Sequence, residues 1–179
     1  MATVERPLRD AAVLAPVYRD GDGRLRLVLV LRGPEGIHGD QVGLPGGRPE
    51  PEDRCLEETA LRESEEEIGL PRGAVRVVAR LPEIATLTSG FRITPYLGHV
   101  AERPAAWRVQ ASEIAEVLEP AVDELADAAA WGQEERMAAT WSQPRIVPVI
   151  RWGPHVIWGA TYRILEDLLP RLAGGEWPL

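Results

Sequence analysis

Lysine and asparagine are absent from this 179-residue chain, so all 20 basic residues are arginine. That bias reads as a GC-rich coding sequence. The heat-adaptation signature includes lysine enrichment, which fails here. A single cysteine, Cys55, excludes an internal disulfide framework and fits a reducing, cytoplasmic setting. Its place in a helical stretch beside only one base, Arg54, makes it structural rather than nucleophilic. No apolar run approaches the roughly 20 residues of a membrane helix. The first ten residues carry no apolar segment, so no secretory leader is expected. Acids exceed bases by eight, which argues against bulk nucleic-acid binding.

What is present is ordinary for a globular protein: 45% hydrophobic and 27% charged residues, a length that fits one domain over 1–179. Residues 11–18 and 25–31 flank Asp20-Gly21-Asp22-Gly23 and predict a hairpin, the second strand apolar on both faces. Residues 33–49, rich in Gly and Pro, predict a functional loop. Residues 52–68 predict a helix with Asp53 as N-cap and Gly69 as its C-terminal stop. Strands are expected at 75–81, 91–100, 146–150 and 155–158, with Pro95 marking a bulge or edge. Residues 112–118 predict a helical turn, 123–130 a weak helix, and 161–172 an amphipathic helix kinked or ended at Pro170. Antiparallel pairs at both ends, with helices between, give an α/β fold: a mixed sheet flanked by helices.

One segment concentrates the charge. Residues 48–67 hold nine acids and three arginines, a local net of −6. Glu63, Glu66 and Glu67 stand at i, i+3 and i+4, so they project from one face of a helix. Like charges this close are unfavourable unless neutralised, and a hard divalent ion such as Mg²⁺ or Mn²⁺ does so with carboxylate oxygens. Gly46-Gly47 just upstream permits close backbone approach and offers carbonyls. Arg62 can orient a neighbouring carboxylate. The plain alternative is a solvated acidic helix. The rigid Pro-Gly-Gly start and the Arg-Glu-x-x-Glu-Glu-x-Gly end argue against it.

This segment resembles the Nudix box. Arg62, Glu63, Glu66, Glu67, Gly69 and Leu70 match it. Ser64 replaces an aliphatic, Asp53 stands where the first Glu is expected, and one extra residue separates Gly47 from Arg62. Residues 39–47, Thr88 to Pro95 and Trp158 to Leu165 are similar to the coenzyme A diphosphatase branch, with Ile37 and Asp40 where that branch has Arg and Gly. The resemblance runs over about residues 11–170. It implies a Nudix α/β/α sandwich that hydrolyses a diphosphate linkage in a small nucleotide, coenzyme A or its thioesters first, ADP-ribose or NADH second. A silent nucleotide-sensing module is the alternative from another class.

The resemblance further implies Gly47, Glu63, Glu66 and Glu67 as ligands of Mg²⁺ or Mn²⁺. Glu66, Glu67 and Arg62 are expected to be catalytic. The general base is a box glutamate or a distant acid, Glu113 or Glu116, with Glu116 the choice. Arg32, Gly46, Arg48 and Phe91 are the expected substrate contacts, and His38 a weaker one. Trp131, Trp141, Trp152 and Trp158 serve either the core or a homodimer interface. No nucleic-acid or membrane partner is expected.

Overall fold

The computed structural model describes residues 7–33, 41–86, 90–138 and 140–179. His38, Ile37, Gly39, Asp40, Thr88 and Ser89 lie outside the described residues.

The Asp20–Gly23 turn joins β1 (Arg9–Arg19) to β2 (Leu25–Leu27) as an antiparallel hairpin, with Val17 opposite Leu27. The Asp20 carboxylate accepts the N–H groups of Asp22 and Arg24, the usual role of Asp at a turn. The second apolar run is not one strand. It breaks at Val28, and β3 (Leu29–Arg32) leaves β1 to pair with β4 (Val42–Gly43) and β9 (Ile114–Leu118). Within the Gly/Pro-rich stretch, β5 (Gly46–Gly47) adds a two-residue strand antiparallel to β1.

Helix α1 (Leu56–Ile68) follows. Cys55, not Asp53, occupies its N-cap, with no side-chain cap bond, because the Asp53 carboxylate is engaged elsewhere. Gly69 ends the helix in the left-handed conformation at φ 69°. Its N–H bonds the Glu65 carbonyl and that of Leu70 bonds Ser64, a closure that needs glycine. Then come β6 (Val75–Arg80), β7 (Ile84–Thr86) and β8 (Phe91–Val100). β8 runs parallel to β1 and antiparallel to β6 and β7. Pro95 therefore sits in a central strand rather than at an edge. The register shift falls in the partner, between Val77 and Ala79.

Residues 112–118 form mostly β9 rather than a helical turn, since Leu29, Val30 and Leu31 supply a waiting strand edge. Helix α2 (Val122–Ala126) and a 3-10 turn at Ala128–Ala130 fill the weak helical region. A third sheet holds β10 (Trp131–Arg136), β11 (Arg145–Trp152) and β12 (His155–Ile157). Helix α3 (Gly159–Ala173) runs through Pro170 instead of stopping there.

Two apolar layers result. On one face α1 packs Ala60 and Ile68 against Ala12, Leu14, Val28, Val30 and Tyr96. On the other, α3 packs Leu165, Leu168 and Leu169 with Ala15, Val17, Leu29, Leu97 and Leu125 of α2. Side chains alternate across a strand, so β1 serves α1 with its even residues and α3 with its odd ones. The mixed sheet lies between helices, as an α/β sandwich requires.

Candidate active site

Gly46 and Gly47 form one wall. Gly46 has φ 152°, and a Cβ there would lie 2.3 Å from the Ala12 carbonyl oxygen on β1. Only glycine permits that pairing. A Cβ on Gly47 would lie 2.3 Å from Glu63 Oε1, so the bare backbone lets the Glu63 carboxylate come flush against it. Glu67, one turn on, accepts the Gly46 N–H at 3.0 Å and Arg32 Nη1 at 3.1 Å. Arg32 also donates to the Gly46 carbonyl at 3.3 Å. Strand β3, strand β5 and helix α1 are thus tied at one point.

Arg62 is the hub of the other wall. Its side chain is 7% exposed and its donors are fully used. Nε and Nη2 grip both oxygens of Asp53 at 3.0 Å, Nη2 reaches the Arg48 carbonyl at 2.9 Å, and Nη1 reaches Glu66 at 2.9 Å. Glu63 Oε1 lies 3.2 Å from the same guanidinium. The fork geometry of arginine suits such multidentate work. Ser64, the departure from an aliphatic, is fully buried and returns its hydroxyl to the Ala60 carbonyl at 2.8 Å, so it leaves no orphan.

The electrostatics follow burial. Hydrogen bonds from Arg62 draw Asp53 down to about 2, and those to Asp53 push Arg62 up. Burial raises Glu63 and lifts Glu67 to about 7, against the pull of Arg32. Desolvated carboxylate oxygens beside a glycine carbonyl are a hard donor set, the kind Mg²⁺ and Mn²⁺ take. The Gly47 cradle that a Cβ would fill meets that requirement. Glu66 is half-exposed and turned to Arg62, and Glu67 to Arg32, so among the described residues no three acids already converge as a cage.

The family model for the NUDIX domain matches residues 8–152. The chain belongs to the Nudix family. It is 32% identical over 170 residues to the uncharacterized Nudix hydrolase NudL of Pectobacterium atrosepticum, covering 89% of this chain and 81% of that protein. It is 34% identical over 164 residues to the NudL of Salmonella paratyphi B, with the same coverage. The crystal structure of RenU, a Nudix hydrolase from M. smegmatis, superposes with a TM-score of 0.64 at 20% identity, covering 97% of this chain and 90% of that one. That last likeness concerns the fold. As a Nudix pyrophosphohydrolase the chain acts on nucleoside diphosphate derivatives, and Nudix hydrolases generally use divalent metal ions.

Within the Nudix frame, Glu63, Glu66, Glu67, Arg62, Arg32, Gly46 and Gly47 come together. Gly46 enters through its backbone groups, both engaged by protein. Arg48 lends its carbonyl to Arg62, and the residue is otherwise exposed. Phe91 starts β8, half-buried, with the Arg9 guanidinium 4.3 Å from its ring. It pairs with Arg9, three residues along β1 from the partner of Gly47, roughly 10 Å away by strand rise.

Glu116 stands apart. It pairs with Leu31, whose face packs toward α3, whereas the neighbouring pair Val30 and Val117 packs toward α1. Glu116 lines a separate open cleft of about 510 Å³ with Arg26, Trp152 and His155. Glu113 is one of two acids, after Glu66, whose charge adds to the burial that raises Glu63. Its segment is tied to the end of the Nudix helix by the N–H of Arg108 on the Ile68 carbonyl and of Gln110 on Glu67. Asp53 is the residue that sequence reasoning misassigned. Its position in place of the box's first glutamate was the available signal.

Proposed function

We propose that this chain hydrolyses the diphosphate of coenzyme A or its thioesters, giving 4′-phosphopantetheine and adenosine 3′,5′-bisphosphate, with Mg²⁺ or Mn²⁺. The observation that supports the reading is Arg62, buried and saturated, locking Asp53, Glu63 and Glu66 into one array beside Gly47. Such preorganisation is expensive for a merely solvated face and useful for a charged reaction. Glu63, Glu66, Glu67 and the Gly47 carbonyl are the residues that would hold the divalent ions. Bound there, the ions supply charge to clamp the diphosphate and acidify water.

The protein's own groups do the rest. Arg62 and Asp53 hold the ligand array in place. Arg32, already at the wall, offers a guanidinium toward the substrate's phosphates. Glu113, not Glu116, is the distant acid that the geometry favours as proton acceptor. The choice of coenzyme A rests on the similarity of residues 39–47, 88–95 and 158–165 to that branch. The single cysteine accords with a cytoplasmic location.

The test is release of product from coenzyme A, ADP-ribose and NADH with each metal. Coenzyme A should be cleaved fastest, and Glu66→Gln should slow cleavage at least about 100-fold. An unchanged rate in that variant removes the metal-site reading. Preference for ADP-ribose or NADH keeps the site and changes the substrate. Nucleotide binding without turnover of any diphosphate would make the domain a sensor.

A further inference from the structure

Four of the six tryptophans are absorbed by packing. Trp131, Trp152 and Trp177 lie against the α3 core, and Trp107 against the α1 core. Trp141 and Trp158 join neither. They meet each other instead, ring centroids 5.9 Å apart and planes at 62°, both half-buried. Arg145, exposed, lays its guanidinium 4.9 Å from the Trp141 ring centre. Unlike Arg24, Arg62, Arg151 and Arg171, it has no carboxylate partner among the described residues. The Trp141 indole N–H is buried without an acceptor among the described residues. An orphaned donor of that kind is a liability that an acceptor on a ligand relieves.

One end of this cluster is carried by an element that adjoins the catalytic wall: β12, which ends just before Trp158, packs on β4. Trp158 immediately precedes α3, and Thr161 lies about one helical turn later. A Cβ placed on Gly43 would have Thr161 Oγ1 at 3.9 Å on one side and Arg32 Nε at 3.6 Å on the other. Arg32 is the residue that grips Glu67 and Gly46. The segment that leads into Trp158 and the arginine that grips the acidic array thus meet at one short strand, Val42–Gly43.

We propose that Trp141, Trp158 and Arg145 form the platform on which the planar base of the nucleotide substrate stacks, while its diphosphate lies toward Arg32 and Glu67. The proposal rests on the Nudix diphosphatase reading and deepens it. Indole faces and guanidinium planes both stack on bases, and an unpaired arginine adds attraction for the adjoining phosphate.

The experiment compares binding of AMP and of ribose 5-phosphate, which lacks the base, to the full chain in chelator. Tryptophan fluorescence and calorimetry report it. Wild type should prefer AMP about tenfold or more, and Trp141→Leu should erase the preference while Trp141→Phe retains most of it. In turnover, Trp141→Leu and Arg145→Ala should raise KM about tenfold with little change in kcat. Equal binding of the two ligands to wild type overturns the platform. So does a preference that survives in Trp141→Leu with its melting temperature intact. Glu66→Gln separates the two readings: it should abolish turnover yet keep the AMP preference. Retained turnover in Glu66→Gln sinks the active-site reading while the binding comparison still decides the platform.

Discussion

At the scale of single residues, the site depends on arginines held by acids. Asp53 and Arg62 are both nearly inaccessible, so removing one strands the other. Asp53→Asn should destabilise the chain by about 1–3 kcal/mol, because Arg62 keeps Glu66 and the Arg48 carbonyl but loses its two-pronged partner. The pH dependence has a definite sign. Asp53 drops from 3.8 to about 2 in the fold, so the native state releases its proton more readily than the unfolded chain. Its stabilisation is full above the unfolded value and vanishes as pH falls through the folded one. An acid-unfolding series should therefore show a shallower decline for Asp53→Asn in that window. Parallel curves for the two proteins would contradict the clamp. Spacing alone put Glu63, Glu66 and Glu67 on one side of α1, but not where their carboxylates turn, Glu66 to Arg62 and Glu67 to Arg32. The Arg62–Asp53 grip was not legible. It depends on how residues 48–55 loop back, and a proline-rich loop carries no periodicity to read.

At the scale of elements, local pattern succeeded where an element closes on its own signals. The Asp-Gly turn made the first hairpin, and Gly69 stopped α1. Pattern failed where a partner decides. Residues 114–118 have a helix-compatible composition yet become β9, because β3 offers them an edge. β10 was missed because Gly132, Gln133, Glu134, Glu135 and Arg136 show no apolar alternation, and backbone pairing with β11 holds it. The two glycines of β5 show how one element divides its labour. Gly46→Ala drives a Cβ into the backbone of β1 at a φ that L-residues avoid, and should cost about 3 kcal/mol or more. Gly47→Ala meets only the movable end of Glu63. It should leave stability within about 1 kcal/mol and reduce turnover by about tenfold or more as Glu63 is displaced. Thermal melts and rates on the pair check this. A Gly47→Ala protein that turns over normally would mean that Glu63 has no work to do at that wall.

At the scale of the whole molecule, the three tyrosines sit in different parts of the architecture. Tyr18 is on β1 and Tyr96 on β8, both in the α1 layer, and Tyr162 is on α3 in the other layer. Burial raises all three above the ordinary phenol value. Tyr18, which also donates to Glu119 at 2.6 Å, reaches about 12. The native fold thus holds protons that the unfolded chain surrenders near 10. Stability from this source is complete below that value and declines as pH climbs toward the folded ones. We propose that the two layers, joined through β1, unfold as one domain. At about pH 11, native protein should show less tyrosinate absorbance than the unfolded chain. Added urea should release all three phenolates in one transition, coincident with loss of helical circular dichroism. Strand β1 gives the physical reason: its even residues support α1 and its odd residues α3, so neither layer can open without breaking the other. Two separated absorbance steps would show that the faces of β1 are not coupled, and the single-domain proposal would fall with them.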